Sequence, residues 1–403
     1  MFTVLIVPYG VISGFSTVTL AFLATKRGLS IQNGAELIAI GYLPQMWKFF
    51  WAPVADATLN RHKWYLLSAL FCAIGTFATA AVPLSPSTLL PIEALVFLSS
   101  LASTFMGFAV EGMIAHLTTT AERGRVSGWY QAGNLGGTGI GGGLGLWLLS
   151  FMTGWETGLI LGILVIACTA ALPFIPKIPA DEVGASPITM ARNTAVELWK
   201  LARTRDGVLC ALLCFVPLGT GAASGVLAQA EVADFWHVGS NTVALVQGVL
   251  GGIVAMVGCI VGGYGCTRLG GRNGYTLYGG LMAAVTLVMA MLPMTPFVYI
   301  SFSLAYQFVN GFCYAAFSAF VLEAIGAKLA ATKYNGFASL SNTPIWYMGL
   351  VLAAFETRFG PRGMLITESV FGVIGIIVFV SVAGFWRASP ASFPAGEGAK
   401  AAS

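Results

Sequence analysis

The stretch Gly41–Trp64, GYLPQMWKFFWAPVADATLNRHKW, decides the fold. It begins with an apolar helix that carries one lysine, Lys48, continues through a Trp-Ala-Pro break to an acid, Asp56, and ends in a short basic turn. On a continuous helix, Lys48 would lie about 12 Å deeper in the membrane than Asp56. A charge at that depth is costly unless it faces a partner or a water-filled cavity. The segment therefore predicts the end of a membrane-spanning helix together with a functional group.

The composition extends this interpretation to all 403 residues of the chain. The sequence is 57% hydrophobic and 9% charged, whereas about a quarter of the residues in a soluble protein are charged. Apolar runs of about 20 residues recur along the whole length, which indicates an all-α integral membrane protein. The net charge of +4 is spread over loops. We therefore expect the lipid bilayer and a small-molecule solute as partners, and no nucleic acid.

About twelve apolar runs predict as many membrane-spanning helices. They cover residues 2–24, 35–54, 64–83, 89–116, 124–151, 155–175, 207–233, 241–265, 273–293, 296–326, 333–356 and 364–386. The long polar stretch between the sixth and seventh runs divides them into two sets of six. We predict an N-terminal six-helix bundle over 1–176, a cytoplasmic linker over 177–206, a C-terminal six-helix bundle over 207–387 and a flexible cytoplasmic tail over 388–403. Within the linker, residues 189–203 could form an amphipathic helix on the membrane surface.

Lysine and arginine are distributed unevenly between the two sets of loops. If both termini face the cytoplasm, the loops on the opposite side hold only Lys26, Arg27, Arg358 and Arg362. Cytoplasmic loops of membrane proteins carry an excess of these residues. We therefore predict a multi-pass protein with both termini in the cytoplasm. We also expect it to be a monomer in a bacterial inner membrane.

The two sets of helices carry a matching segment. FAVEGMIAHLTTTAERGRVS at Phe108–Ser127 aligns without a gap with FVLEAIGAKLAATKYNGFAS at Phe320–Ser339. In this alignment one buried-looking acid, Glu111, falls on a second, Glu323. Two sets of six helices in the same orientation, related by a parallel repeat, are the plan of major facilitator transporters.

A family resemblance rests on the same segments. The run Lys48-Phe49-Phe50-Trp51-Ala52-Pro53, then Asp56 and Arg61-His62-Lys63-Trp64, resembles the signature of AmpG-type muropeptide permeases and of the related acetyl-coenzyme A transporters. Ala109-Val110-Glu111-Gly112 is similar to the acid-bearing fourth helix of that group. Where the group often carries Gln-Asp, this chain has Met106-Gly107. The resemblance implies a secondary active transporter with a muropeptide-like substrate; siderophore and acyl-coenzyme A permeases of the wider group are alternatives. No nucleotide site is visible, so we expect a proton gradient as the energy source and no cofactor.

Five residues inside the predicted spans are candidates for substrate or proton binding. They are Lys48, Glu111, Glu323, Gln307 and Asn310. The two acids would line a central cavity, one from each set of helices, where a carboxyl can take and release a proton. Lys48 would bind an anionic group or pair with Glu111, and the two amides would contact the substrate near Glu323. The alternatives are carboxyls bonded to a neighbouring helix or a loop arginine, a lysine that reaches the interface, and amides that only join helices.

Asp56, Arg61 and Lys63 are candidates for a conformational latch, in which contacts made in one state are broken in the other. A plain solvated turn is the alternative. Two further function classes stay open besides transport. A membrane-embedded transferase would need a polar catalytic cluster, and the linker, with Asp181, Glu182 and Arg192, shows no catalytic pattern. A non-transporting assembly factor could use the same bundle. We predict a transporter and not an enzyme.

Overall fold

The structure is a computed structural model that describes residues 1–20, 23–24, 31–178, 187–325 and 329–388. Every regular element in these ranges is helical. The helices are α1 (Phe2–Leu20), α2 (Ile31–Met46), α3 (Ala52–Ala57), α4 (Arg61–Ala81), α5 (Leu89–Leu117), α6 (Arg123–Gly139, extended by Ile140–Leu144 and Gly145–Leu149), α7 (Gly154–Phe174), α8 (Pro187–Ala202), α9 (Arg205–Leu213), α10 (Ala223–Leu227), α11 (Ala230–Asp234), α12 (Asn241–Leu269), α13 (Gly271–Met291), α14 (Pro296–Ile325), α15 (Ala330–Leu340) and α16 (Asn342–Ala388). We call α1–α7 the first half and α9–α16 the second half.

Eight helical stretches among the described residues are long and apolar enough to cross a membrane. Seven are single helices, namely α1, α4, α5, α7, α12, α13 and α14, and the eighth is the stretch Ala330–Gly384. That stretch contains the two spans predicted over 333–356 and 364–386. A sharp bend of α16 at Gly360, whose φ is 70°, separates them. The predicted all-α membrane architecture is confirmed.

Three predicted spans are not continuous helices. The span predicted over 333–356 is divided at Ser341, between α15 and α16. The span predicted over 35–54 ends at Met46, and a single 3₁₀ turn, Lys48–Phe50, separates it from α3. Pro53 lies in the first turn of α3, where its missing N–H leaves no hydrogen bond unmade. If α2 continued through this point, the proline ring would clash with the preceding turn, so the helix is broken here. The span predicted over 207–233 is interrupted between α9 and α10.

The structure describes the second part of the linker, from residue 187 onward. Helix α8 covers most of the amphipathic segment predicted over 189–203. Residues 179–186 and 389–403 lie outside the described residues, and so do Lys26, Arg27, Asp181 and Glu182. The boundaries predicted for the two bundles, the linker and the tail therefore stay predictions.

The two halves meet along α6 and α12, where glycine allows the backbones to touch. A β-carbon placed on Gly128 would lie 2.5 Å from the carbonyl oxygen of Cys259 and 2.8 Å from the α-carbon of Gly263. Membrane helices associate through such small residues because lipid offers no hydrophobic drive for packing. This contact brings the ends of α5, α6, α12 and α15 together at one end of the bundle. We call it the basic end, since Arg61, Arg123 and Lys333 lie there.

Candidate functional site

Lys48 lies in the 3₁₀ turn between α2 and α3, and its side chain is only 8% exposed. The depth of about 12 Å expected for it assumed one continuous helix, so that value does not apply. The side chain points into the protein, because a lysine facing lipid would be exposed here. It makes no hydrogen bond or ion pair with any described residue, but its charge interacts with that of Glu111.

Glu111 is the centre of a buried polar cluster at the interface of the halves. Its side chain is 3% exposed. Tyr130 of α6 donates a hydrogen bond to Oε1 at 2.8 Å, and Asn335 of α15 donates one to Oε2 at 2.5 Å. Tyr130 belongs to the first half and Asn335 to the second. The carboxylate therefore joins the halves directly, with the Lys48 ammonium as its cationic neighbour.

Further polar contacts surround this cluster on the first half. Tyr9 of α1 donates a hydrogen bond to Gln45 of α2, and Gln45 donates one to Ser103 of α5 at 3.3 Å. Tyr9 also lies against Gly107, one turn before Glu111. These side chains hold α1, α2 and α5 in register around the carboxylate. Sequence reasoning missed Tyr9, Tyr130 and Asn335, since nothing local distinguishes them from other polar or aromatic residues in apolar helices.

Three tiers of contact close the basic end between the halves. Gln131 of α6 donates a hydrogen bond to Ser318 of α14 at 2.5 Å, and Ser318 is 2.6 Å from the hydroxyl of Tyr334 on α15. The rings of Tyr130 and Tyr334 meet edge to face with centroids 6.4 Å apart. With the glycine contact of α6 and α12 and the Glu111 bonds, these interactions join the two halves at the basic end.

Asp56 and Arg61 are completely buried at the basic end. Arg61 Nη2 donates to Asp56 Oδ1 at 2.6 Å. The other carboxylate oxygen, Oδ2, accepts two hydrogen bonds from Thr332 of α15, from the backbone N–H at 2.8 Å and from the hydroxyl at 2.6 Å. A carboxylate at a helix N-terminus satisfies backbone donors and complements the helix dipole. Asp56 of the first half therefore caps a helix of the second half, as a latch between the halves requires.

Lys63, the third predicted latch residue, has an exposed side chain outside this contact. Its backbone N–H donates a hydrogen bond to the side chain of Asn60, which caps the start of α4. Instead, Lys333 of α15 is buried and contacts Glu197 of the linker helix α8 at 3.2 Å. Glu197 also contacts Lys200 at 3.0 Å. The linker is thus fastened to the same helix that Asp56 caps.

Glu323 is not brought together with Glu111 and Lys48. It is half-buried near the end of α14, where the backbone N–H of Gly271 at the start of α13 donates to it at 3.2 Å. Its charge interacts with that of Arg123 in the first half. The geometry matches the alternative of a carboxyl bonded to a neighbouring helix and facing a loop arginine. The two aligned acids have different surroundings, because their partners come from different helices.

Gln307 and Asn310 lie on α14 but far from Glu323. Thirteen or more residues of helix separate them from it, or about 20 Å. Gln307 donates to Gln247 of α12 at 3.4 Å, and Asn310 donates to Gln307 at 3.4 Å. Asn310 lies instead against Gly221 in the interruption between α9 and α10. The expected proximity to Glu323 was wrong, while a role in substrate contact stays a prediction.

No group of three His, Cys, Asp or Glu side chains placed to hold a metal ion occurs among the described ranges. The chemistry available at the interface is therefore that of an ammonium group, a carboxylate, phenols and amides. Such a set can bind a polar or anionic solute and can exchange a proton.

A protein-family model described as Major Facilitator Superfamily matches residues 1–354. No curated protein matches the sequence. Among solved structures, the human organic anion transporter MFSD10 (TETRAN) has 14% sequence identity and a TM-score of 0.68, covering 94% of this chain and 98% of that one.

Two further solved structures are similar. A bacterial homologue of the iron transporter ferroportin in an outward-facing state has 15% identity and a TM-score of 0.63, covering 95% of this chain and 98% of that one. The proton:xylose symporter XylE bound to 6-bromo-6-deoxy-D-glucose has 12% identity and a TM-score of 0.66, with coverage of 96% and 95%. At these identities the likeness concerns the fold, and it confirms the predicted plan of two six-helix bundles.

Proposed function

The chain belongs to the major facilitator superfamily, and from that premise we propose that it carries a small polar or anionic solute across a bacterial inner membrane, driven by protons. Family membership makes it a multi-pass membrane transporter rather than an enzyme. Within the superfamily we place it near the AmpG-type permeases, as a monomer with both termini in the cytoplasm. The muropeptide-like substrate is favoured, with siderophores and acyl-coenzyme A as alternatives.

The observation that carries the proposal is the buried cluster of Lys48 and Glu111 at the interface of the halves. Both side chains are removed from lipid. Charged groups inside a membrane protein are expensive and usually mark a solute or proton pathway. In transporters with two repeats, the solute binds between the repeats, and rocking of one repeat on the other exposes it to either side. The cluster lies where such rocking would make and break contacts.

The lysine supplies the argument for an anionic group on the solute. Its ammonium has no hydrogen-bond partner among the described residues, whereas the carboxylate of Glu111 has two. A buried ammonium needs acceptors to offset its lost hydration. A carboxylate of a muropeptide or of a siderophore, or a phosphate of coenzyme A, would provide them. The amine is thus the group that selects the solute in this proposal.

The carboxylate supplies the argument for proton coupling. In its charged form Glu111 accepts hydrogen bonds from Tyr130 and from Asn335 of the other half. Protonation removes charge from both acceptor oxygens, and hydrogen bonds to charged groups are roughly twice as strong as neutral ones. A proton on Glu111 would therefore weaken the contact that joins the halves. Proton binding would favour opening of the basic end, and proton release would favour its closure.

The first test is a thermal-shift screen of the purified protein with muropeptides, coenzyme A esters and ferric siderophores. We expect one class to raise the unfolding temperature, and Lys48→Ala to abolish that rise. Lys63→Ala is the matched control, because this exposed lysine lies in the same segment. A shift that survives Lys48→Ala would remove the lysine from the solute site. If no class shifts the protein, the substrate assignments taken from the family fall.

The second test measures uptake of the identified solute into proteoliposomes with an imposed proton gradient. Glu111→Gln keeps the size of the side chain but cannot carry a proton, so we expect uptake to lose its dependence on the gradient. Glu231→Gln, at an exposed acid of α11, should behave like the parent protein. Uptake by Glu111→Gln that still depends on the proton gradient would refute coupling through Glu111, and parent uptake that is indifferent to an uncoupler would refute proton coupling altogether.

A further inference from the structure

The seventh predicted span is broken in the middle of its apolar run. Helix α9 ends at Leu213 and α10 begins at Ala223. Two glycines in the intervening segment, Gly219 and Gly221, have φ of 62° and 70°, a left-handed backbone that glycine adopts without strain. Inside a membrane, irregular backbone is tolerated only where it is buried in protein or lines a wet cavity. The interruption therefore needs a reason in the surrounding side chains.

A buried acid that sequence reasoning missed lies beside this interruption. Glu368 of α16 is 5% exposed. The hydroxyl of Tyr306 on α14 donates to its Oε1 at 2.5 Å, and the backbone amide of Ala223 lies next to the same carboxyl. Its second oxygen, Oε2, has no hydrogen-bond partner among the described residues. The acid belongs to the second half and is separate from the Glu111 cluster.

Another buried oxygen faces the same interruption. The side-chain oxygen of Asn310, one turn after Tyr306 on α14, has no hydrogen-bond partner among the described residues. It lies so close to the chain that a β-carbon on Gly221 would be 2.6 Å from it. A carboxylate oxygen and an amide oxygen are thus both buried and unsatisfied around one stretch of unwound backbone. Leaving such groups unpaired costs about 1–3 kcal/mol each, more for a charged one.

Among the residues that the structure describes, no basic side chain offsets the charge of Glu368. The titratable groups that interact with it are Tyr306 and Cys313, both on α14, and the contact from the interruption is a backbone amide. Neither of those side chains carries positive charge. A buried carboxylate without a cationic neighbour requires a bound cation or a proton.

We propose that Glu368, Asn310, Tyr306 and the unwound backbone of 214–222 form a site for a small cation, either a proton or Na⁺. Carboxylate, amide, phenol and backbone oxygens suit a hard cation rather than a soft metal. In transporters, discontinuous helices supply ion sites through their unwound carbonyls. The second half would then hold a cation site of its own, apart from the lysine and acid of the first half. Its use in coupling rests on the proposed transport function, but the binding itself does not.

The test measures the unfolding temperature of the purified full-length protein in detergent, with Na⁺ replaced by choline at constant ionic strength and at pH values from about 5.5 to 8.5. A ligand that binds only the folded state raises this temperature. If the site takes Na⁺, Na⁺ raises it at high pH; if it takes a proton, only acidification raises it. We expect Glu368→Gln to lose whichever response the parent shows, and Glu231→Gln to keep it.

A second variant keeps the test decisive if Glu368→Gln does not fold. Asn310→Ala removes one ligand oxygen, so we expect the half-saturating Na⁺ concentration to rise about tenfold, or the midpoint of the acid response to fall. An unchanged response in Asn310→Ala, an unchanged response in Glu368→Gln, or no response to either cation in the parent protein would overturn the site. None of these measurements needs transport, so failure of the site and failure of the proposed function are distinguishable.

Discussion

Replacing Thr332 by valine tests whether Asp56 is a latch. Valine has nearly the shape of threonine, so Thr332→Val removes only the hydroxyl that bonds Asp56 at 2.6 Å and leaves the backbone bond at 2.8 Å in place. A hydrogen bond to a charged group contributes about 1.5–3 kcal/mol. This bond joins the halves and is broken whenever they separate at the basic end. Since each 1.4 kcal/mol is tenfold, the open fraction should rise by about 10- to 150-fold.

Cys266 is a native cysteine that can report this opening, so no new cysteine has to be introduced for labelling. It is buried on α12 against Gly124 of α6, at the basic end. In a background where the other cysteines are replaced, the rate at which a water-soluble maleimide labels Cys266 is proportional to the open fraction. We expect Thr332→Val to raise this rate by the factor given above.

The matched control is Thr286→Val on α13. Thr286 is also buried, but its hydroxyl bonds carbonyl oxygens of its own helix, at 3.0 Å and 3.3 Å. The same substitution there costs a hydrogen bond without affecting the contact between halves. If both variants label at the parent's rate, or if the control is labelled as fast as Thr332→Val, Asp56 does not act as a latch through Thr332.

Two further predictions concern the packing of the halves and the linker. Gly128→Ala places a β-carbon 2.5 Å from the carbonyl oxygen of Cys259, so overpacking of about 1–3 kcal/mol should lower the unfolding temperature; Gly139→Ala, which meets nothing within 4 Å, should not. Lys333→Met removes the buried contact with Glu197. Loss of a charged hydrogen bond, about 1.5–3 kcal/mol, should raise the fraction of molecules with a detached linker helix. We therefore expect protease to cleave the linker more than tenfold faster. Lys333→Met cleaved at the parent's rate would show that the linker is held elsewhere.

The sequence marked out individual residues of the buried cluster where a residue's own type carried the information, while their roles stay predictions. Lys48 and Glu111 stood out because a charge in an apolar run is rare, and the structure buries them together. Asp56 and Arg61 stood out as a charged turn, and the structure pairs them at 2.6 Å. Glu368 is equally an acid in an apolar run, so the same signal marks it in the sequence.

The surroundings of Glu111 and Glu323 show what the sequence does not contain. The repeat gives both acids the same local context, so any rule based on neighbours treats them alike. Glu111 accepts a hydrogen bond from Asn335, which is 224 residues away, whereas Glu323 accepts one from the backbone N–H of Gly271. Which partner reaches each carboxyl depends on how the helices of the two halves cross.

The sequence alone determined that this chain is a bundle of membrane helices in two related sets. The reason is that a hydrocarbon layer requires about 20 apolar residues for each span and leaves helices as the structure that satisfies the backbone of such a span. Only the tertiary structure decided that Asp56 caps α15, that Asn335 reaches Glu111, and that the seventh span is broken beside Glu368. Those features rest on hydrogen bonds between residues far apart in the chain, whose pairing is fixed by helix packing and not by local pattern.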